Sequence, residues 1–563
     1  MSKAFRDSKN SHAVTLSDSE GSLVSRVSKF LADKSRFFAS LRMTTLVYPI
    51  LFLGFVLRAF QFSTNPPGLY FDEATIGYEA FSLLKTGADR WGLSLPIYFV
   101  NWGSGQSVLY SYLSIPFVAL LGLSRFSDRL VSLFLGVLTL PLVYVTVKRS
   151  MGRNAGLIAM LLLAVLPWHV MISRWALDAN LLPFFLLLGT YTMTRALSRS
   201  ASRRSIVLAL LPWGAALYAY ALSFTVLPIL LALIVLSYRK TILGNWKAWG
   251  VSAILFGILA FPLALFLFKN YFAHDTMGIE RYLPFGIPLL LTNRIQYVST
   301  PIPGRWIDTF FFIFSGFQQG DYHDSLVGNA PILMVFIPLC LIGCAYWVKD
   351  FRATKRPDLF LLWMIAALPV LLLVDANVHR FNAVFIPMLA ASVNGLSRLA
   401  RALSRSSRAR LVLATGVSAL VALQVFLFVY DYFWVFPTLP EYESAFTKNY
   451  DRAIEQGIAL ARPDEPILLQ PGLEYSFIFT LFYTSYPPEQ FHREVKYSTD
   501  LSEYWVRSFG RFYVGVENLP DPQGEFTYIL GKWNPDPCPN PEPAAETRLW
   551  KVGRCEGQVK SQR

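Results

Sequence analysis

Two carboxylates stand side by side at Asp72 and Glu73, in the run Pro66-Pro67-Gly68-Leu69-Tyr70-Phe71-Asp72-Glu73. Downstream, Ile76, Ala80, Leu83 and Leu84 recur at helical spacing, which puts Asp72 near a helix N-terminus. A carboxylate there often does no more than cap the helix. Beside an apolar membrane surface an adjacent pair offers more. One of the two can act as a general base, removing a proton from an incoming nucleophile.

Other ionisable groups gather on what reads as the same face. Trp168 and His169, with Arg174 and Asp178 four residues apart, lie at the corner between two apolar runs. An ion pair within one helix is the plain reading of Arg174 and Asp178; a functional one follows because charge at membrane depth is costly. Asp375, His379 and Arg380 open a later run, and the arginine there either snorkels or grips a phosphate through its planar fork. Gly320-Asp321-Tyr322-His323-Asp324 adds polar groups at the same level, so Tyr78, His169, Asp321 and His323 complete the candidates for a cavity. No metal site is signalled, because His323 and Asp324 come without an HxxxH or CxxC companion; a divalent cation is left open. Walker and Rossmann glycine patterns are absent, and with them an obvious place for a nucleotide-activated donor.

The elements that must position these groups are membrane spans. The chain is 54% apolar and 16% charged, with 14 Trp, 27 Tyr and 45 Phe. A soluble domain carries roughly 25% charged residues, so this surface is not built for water alone. Long apolar runs occupy about 44–62, 128–147, 155–173, 179–194, 205–237, 249–268, 329–348, 359–374, 380–397 and 411–434, with room for two spans in 205–237. Each suits a helix of roughly 20 residues. The first run follows a polar, basic, Ser-rich tail over 1–43 and lacks a small-residue cleavage site, so it reads as a retained span.

The run 106–122 is apolar but holds Ser107, Ser111, Ser114 and Pro116. If it does not cross, the basic clusters at 148–153, 195–204, 239–247, 349–356 and 398–410 all fall on the N-terminal side, as the positive-inside rule requires. It therefore reads as a juxtamembrane helix, and the total is eleven spans. The expected organisation is a cytoplasmic tail over 1–43, a membrane domain over 44–435 whose first outer loop is 63–127, and an extracytoplasmic soluble domain over 436–563. From Pro437 onward there are 13 Lys and Arg against 18 Asp and Glu, a balance of −5, so of the chain's net +14 the residues before it carry +19. Basic residues in short loops write orientation and do not indicate nucleic-acid binding. The C-terminal segment has strand-like stretches at Ile467–Leu469 and Phe526–Leu530 and Pro-rich turns over 535–543, the pattern of a small α/β domain. Cys340 and Cys344 sit in an apolar run as small core residues. Cys538 and Cys555 are a candidate disulfide if their domain is extracytoplasmic.

At this point a resemblance can be stated. An Asp-Glu pair in a long first outer loop, a juxtamembrane helix followed by Arg129-Leu130, and an outward Asp178 resemble the GT-C superfamily of integral-membrane glycosyltransferases. Gly68 through Glu73, Gly77-Tyr78, Gly87, Asp89, Trp91-Gly92, Leu95-Pro96, Pro167-Trp168-His169 and Ser173-Arg174 resemble its bacterial protein O-mannosyltransferase and aminoarabinose-transferase branch (families 39 and 83). The likeness runs over about 44–400. It implies an all-α polytopic fold and transfer of a sugar from a polyprenyl-phosphate donor at the outer face of the plasma membrane, with inversion. By position it makes Asp72 the catalytic base, Glu73 the second acid of the pair and Asp178 a further acid on the cavity. The Lys-Pro-Pro element that often opens the second juxtamembrane helix is replaced by Ser104-Gly105-Gln106-Ser107, so the donor phosphate is expected on Arg380, His379 and Arg174. The acceptor is a glycan, a lipid or a protein.

Two other readings compete. Intramembrane charges and Pro- or Gly-broken spans also mark transporters and lipid flippases, but the two halves show no internal repeat and the charges gather at one face. A non-catalytic assembly or receptor protein is the third reading.

Overall fold

A backbone in hydrocarbon must satisfy its own N–H and C=O groups, and a helix does so within one segment. The computed structural model has helices as its regular elements from Val47 to Leu460 among the described residues, and the named strands all come after them. It describes residues 45–101, 103–273, 278, 282–292, 302–315, 328–470, 476–498 and 504–556. Asp321, His323 and the whole of the 1–43 tail lie outside these residues. The chain divides into a unit Met1–Phe52 and a unit Leu53–Arg563, and the second holds everything discussed below.

Among the described residues, four helical runs are long and apolar enough to cross a membrane: Arg125–Met151, Ser223–Gly244, Trp246–Phe272 and Ser407–Thr438. Val47–Ala59, Leu109–Leu121, Arg153–Val165 and Leu359–Leu372 are shorter apolar helices. Two expected spans are broken. Pro167 separates Arg153–Val165 from Pro167–Ile172, and the 205–237 run becomes Arg203–Val207, Leu211–Ala216 and the start of Ser223–Gly244. Among the described residues the helices long and apolar enough to cross therefore number four, against the eleven spans expected from the apolar runs.

The Arg125–Met151 helix is the main strut. Ser124 caps it by accepting from the Ser127 amide at 3.2 Å, while Ser127 Oγ accepts from the Ser124 amide at 3.1 Å. Reciprocal capping of this kind fixes where a helix begins. Its 27 residues extend about 40 Å, and Gly152, at φ +94°, ends it. The Leu109–Leu121 helix is only 13 residues, about 20 Å, too short for a hydrocarbon core of about 30 Å. Its Ser111 and Ser114 are buried, and Ser111 Oγ donates to the Ile76 carbonyl at 3.0 Å. It packs against both Phe71–Thr86 and Arg125–Met151.

The C-terminal sheet has seven strands: β1 (Ile467–Leu469), β2 (Lys496–Ser498), β3 (Trp505–Phe509), β4 (Phe512–Val514), β5 (Glu525–Gly531), β6 (Pro541–Glu546) and β7 (Trp550–Glu556), in the order β2-β3-β4-β1-β5-β7-β6. Strand β1 is wholly buried and pairs in parallel with β4 and β5, and the outer pairs are antiparallel. Ile467–Leu469 and Phe526–Leu530 are thus strands, as their composition predicts. The Pro-rich stretch is in part a strand too. Pro541 and Pro543 sit on edge strand β6, where a missing N–H costs the ladder least. Cys538 and Cys555 form a disulfide. One core joins the sheet to the Phe71–Thr86 helix and the segment just before it: Leu69, Ala74 and Tyr78 pack with Tyr450, Ile467, Phe482 and Ile529.

Candidate functional site

Tyr70 precedes the Phe71–Thr86 helix in an extended conformation, so Asp72 and Glu73 occupy its first turn, where the helix dipole favours anions. The two side chains then part. Glu73 is fully buried. Its Oε1 accepts from Arg129 Nε at 2.8 Å and from the Ala176 amide at 2.9 Å. Its Oε2 accepts from Arg129 Nη2 at 2.8 Å and from the Tyr70 amide at 3.1 Å. Arg129 is equally buried, and its Nη2 also donates to the Gly68 carbonyl at 2.6 Å. Gly68 can be only glycine here, because a Cβ would overlap the carbonyl oxygen of Phe446. Glu73 and Arg129 therefore tie the loop that opens the Phe71–Thr86 helix to the main strut and to the 176 corner.

Asp72 is only partly buried. Its Oδ1 accepts from Asn101 Nδ2 at 3.1 Å and, more loosely, from Gln106 Nε2 at 3.4 Å. The next residue on that loop, Ser107, donates its amide to Asp178 Oδ2 at 3.0 Å. One short segment thus holds both acids. It is the segment where the Lys-Pro-Pro element is missing, and what it offers Asp72 and Asp178 is amide donors. Asn101 is itself held, since its Oδ1 accepts from Arg90 Nη2 at 3.3 Å. Arg90 is paired in turn with buried Glu79 at 2.7 Å. Burial raises the Glu79 carboxyl above the usual range, and the Arg90 charge opposes the rise. Beside it, Trp91 stacks on Tyr504 with ring centroids 4.6 Å apart, and His492 bonds the Asp89 carbonyl at 2.8 Å. The C-terminal sheet therefore braces the loop that supports Asp72.

The remaining candidates divide into two groups. His379 and Arg380 lie in a turn that Asn382 anchors to the acidic corner: its Oδ1 accepts from Trp168 Nε1 at 2.6 Å and its Nδ2 donates to the Ala179 carbonyl at 2.9 Å. Arg380 is 38% exposed and faces Asp375 at 3.4 Å, and Arg305 reaches the other oxygen of that carboxylate at 3.4 Å. Arg174 behaves differently from its expected role on the donor phosphate. It is buried, its Nη atoms donate to the carbonyls of Leu57, Arg58 and Asn65, and its plane lies 4.9 Å from the Phe433 ring. Burial lowers its pKa. The helical ion pair with Asp178 is not what forms. His169 is likewise buried, bonded to Arg58 Nη2 at 2.7 Å. Tyr78 is buried in the seam with the sheet, donating to the Tyr486 carbonyl at 2.9 Å; burial raises its pKa. These three are packed into the fold around the site. Asp321 and His323 fall outside the described residues.

Sequence reasoning passed over Asn101, Gln106, Arg90 and Arg305. Only Arg90 carried a signal in the sequence, as a charge within a loop otherwise matched to the Asp-Glu pair. Among the described residues, no group of three or more His, Cys, Asp or Glu is placed to hold a metal ion.

With this geometry in hand, the chain can be set beside known proteins. The family model for dolichyl-phosphate-mannose-protein mannosyltransferase matches residues 106–265. No curated protein matches the chain in sequence. The structure of ArnT from Cupriavidus metallidurans in the apo state is similar at a TM-score of 0.52 and 14% identity, covering 92% of this chain and 98% of that one. The same protein bound to undecaprenyl phosphate matches at 0.52 and 13%, covering 92% and 97%. The archaeal oligosaccharyltransferase AglB from Archaeoglobus fulgidus, in complex with an inhibitory peptide and a dolichol-phosphate, matches at 0.50 and 15%, covering 79% of this chain and 64% of that one. The family-model match over 106–265 and the fold shared with ArnT and AglB make the chain similar to membrane glycosyltransferases of this fold.

Proposed function

We propose that the protein transfers a sugar from a polyprenyl-phosphate donor to an acceptor at the outer membrane face, with inversion and with Asp72 as general base. The observation that carries this reading is the pairing of Asp72 and Asp178 on the 101–107 loop, one carboxylate left partly open while its neighbour Glu73 is sealed into an ion pair. Undecaprenyl phosphate on ArnT and dolichol-phosphate on AglB support the class of donor. In the proposed step the acceptor O–H or N–H loses its proton to an Asp72 oxygen as the acceptor atom bonds the anomeric carbon. The bond from that carbon to the phosphate oxygen breaks, and its electron pair leaves with the polyprenyl phosphate. Asn101 and Gln106 hold Asp72 in place, and Asp178 lines the same end of the loop. One displacement with a single base inverts the anomeric centre.

The growing phosphate charge falls to Arg380, with His379 beside it and Arg305 sharing Asp375. Arg174 is set aside from that role because both of its Nη groups already donate to backbone carbonyls. Orientation follows the loop charges: N-terminus cytoplasmic, C-terminal sheet domain over 436–563 outside the plasma membrane, and eleven crossings in 44–435. The test is transfer of radiolabelled sugar from polyprenyl phosphate by the purified full chain in liposomes, alongside Asp72→Asn. The variant should be inactive while eluting and melting like the parent. Retained turnover removes Asp72 from the chemistry, and substrate uptake into the vesicles in place of transfer would favour a transporter.

A further inference from the structure

At the end of the main strut away from Asp72 there is a second polar cavity of about 520 Å³. Its walls include Ser150, at the end of the Arg125–Met151 helix, and Thr194, Trp347, Arg356, Arg398 and Arg401 from the ends of other helices and their connections. Arg129, which grips Glu73, lies 21 residues before Ser150 on the same helix, so the two sites are about 32 Å apart at 1.5 Å per residue. This cavity cannot share a ligand with Asp72.

The acids on its wall are already engaged. Asp350 is bound by Arg398, and Asp358 accepts from Ser150 Oγ and from the Phe360 amide. Arg356 and Arg401 are exposed, and neither forms an ion pair with a described residue. Arg398 Nε is buried without a hydrogen-bond acceptor. Arginines near helix C-termini offset the carbonyl dipoles, but that role explains neither the concave space between them nor the unsatisfied Nε. Three guanidinium groups around one polar space match the planar, bidentate recognition of phosphate. Basic pockets between membrane helices commonly take lipid head groups.

We infer that this cavity binds a phosphate ester, and that its source is the head group of an anionic phospholipid in the leaflet opposite the Asp72 site. The full-length protein in detergent would be titrated with phosphatidylglycerol, phosphatidylcholine and inorganic phosphate, reading retained lipid by native mass spectrometry and the thermal midpoint. Phosphatidylglycerol should be retained and raise the midpoint, and the other two should not. Arg356→Gln and Arg401→Gln should each weaken retention about fivefold, the equivalent of ~1 kcal/mol per arginine. Arg199→Gln with Arg203→Gln, exposed charges outside the cavity, should leave it unchanged. Equal retention of phosphatidylcholine, or an undiminished effect in the cavity variants, overturns the site. Equal protection by inorganic phosphate overturns the lipid source.

Discussion

Replacing Glu73 by Gln separates an anchor from a catalyst. Glu73 accepts four hydrogen bonds, two of them from the Arg129 guanidinium, with both side chains at zero exposure. An amide oxygen at the Oε1 position keeps the bonds from Arg129 Nε and Ala176. Its NH2 group then faces the Tyr70 amide and Arg129 Nη2, donor against donor, and Arg129 is left as an unbalanced buried cation. Breaking a buried pair in this way costs about 3–5 kcal/mol. Turning the amide over moves the clash to the other two donors without removing it. The assay is thermal unfolding in detergent, followed by tryptophan fluorescence and by the fraction eluting as a single species. Glu73→Gln should melt several degrees lower and express poorly. Glu73→Gln combined with Arg129→Met should regain part of that loss, because the stranded charge is gone. A Glu73→Gln protein that melts like the parent yet fails to transfer sugar would refute the anchor and put Glu73 in the chemistry.

The other expectations follow from the same contacts. Arg174→Gln should destabilise by about 2–3 kcal/mol, the scale of hydrogen bonds from a charged group, with donor KM unchanged in the folded fraction. Arg380→Gln should do the reverse, raising donor KM or lowering kcat at an unchanged melting temperature; the split is read from transfer kinetics. Tyr78→Phe removes the 2.9 Å bond to the Tyr486 carbonyl and should cost about 1 kcal/mol while transfer continues at the parent rate. Cys538→Ser with Cys555→Ser opens a loop of sequence separation 17 and should loosen the sheet by about 3 kcal/mol, visible as faster proteolysis between β5 and β7.

What the sequence determined by itself is what depends on local composition. Apolar runs without charges commit to helices whatever surrounds them, and Ile467–Leu469 and Glu525–Gly531 are strands because a wholly apolar or alternating short run has few other uses. The run over 106–122 forms the 13-residue helix Leu109–Leu121, whose Ser111 donates to the Ile76 carbonyl. The doublet Asp72-Glu73 was legible as chemistry for the same reason, being two like charges at one helix start. Tertiary structure decided which of the two stays open. Arg129 lies 56 positions from Glu73 and Ala176 lies 103 away, and no periodicity links such partners. Distance in sequence also hid the fate of Arg174, whose acceptors are carbonyls at 57, 58 and 65. A guanidinium reads identically on the page whether it awaits a phosphate or already has its Nη groups on backbone carbonyls. Only the packing that removes water from one and leaves it on Arg380 tells them apart.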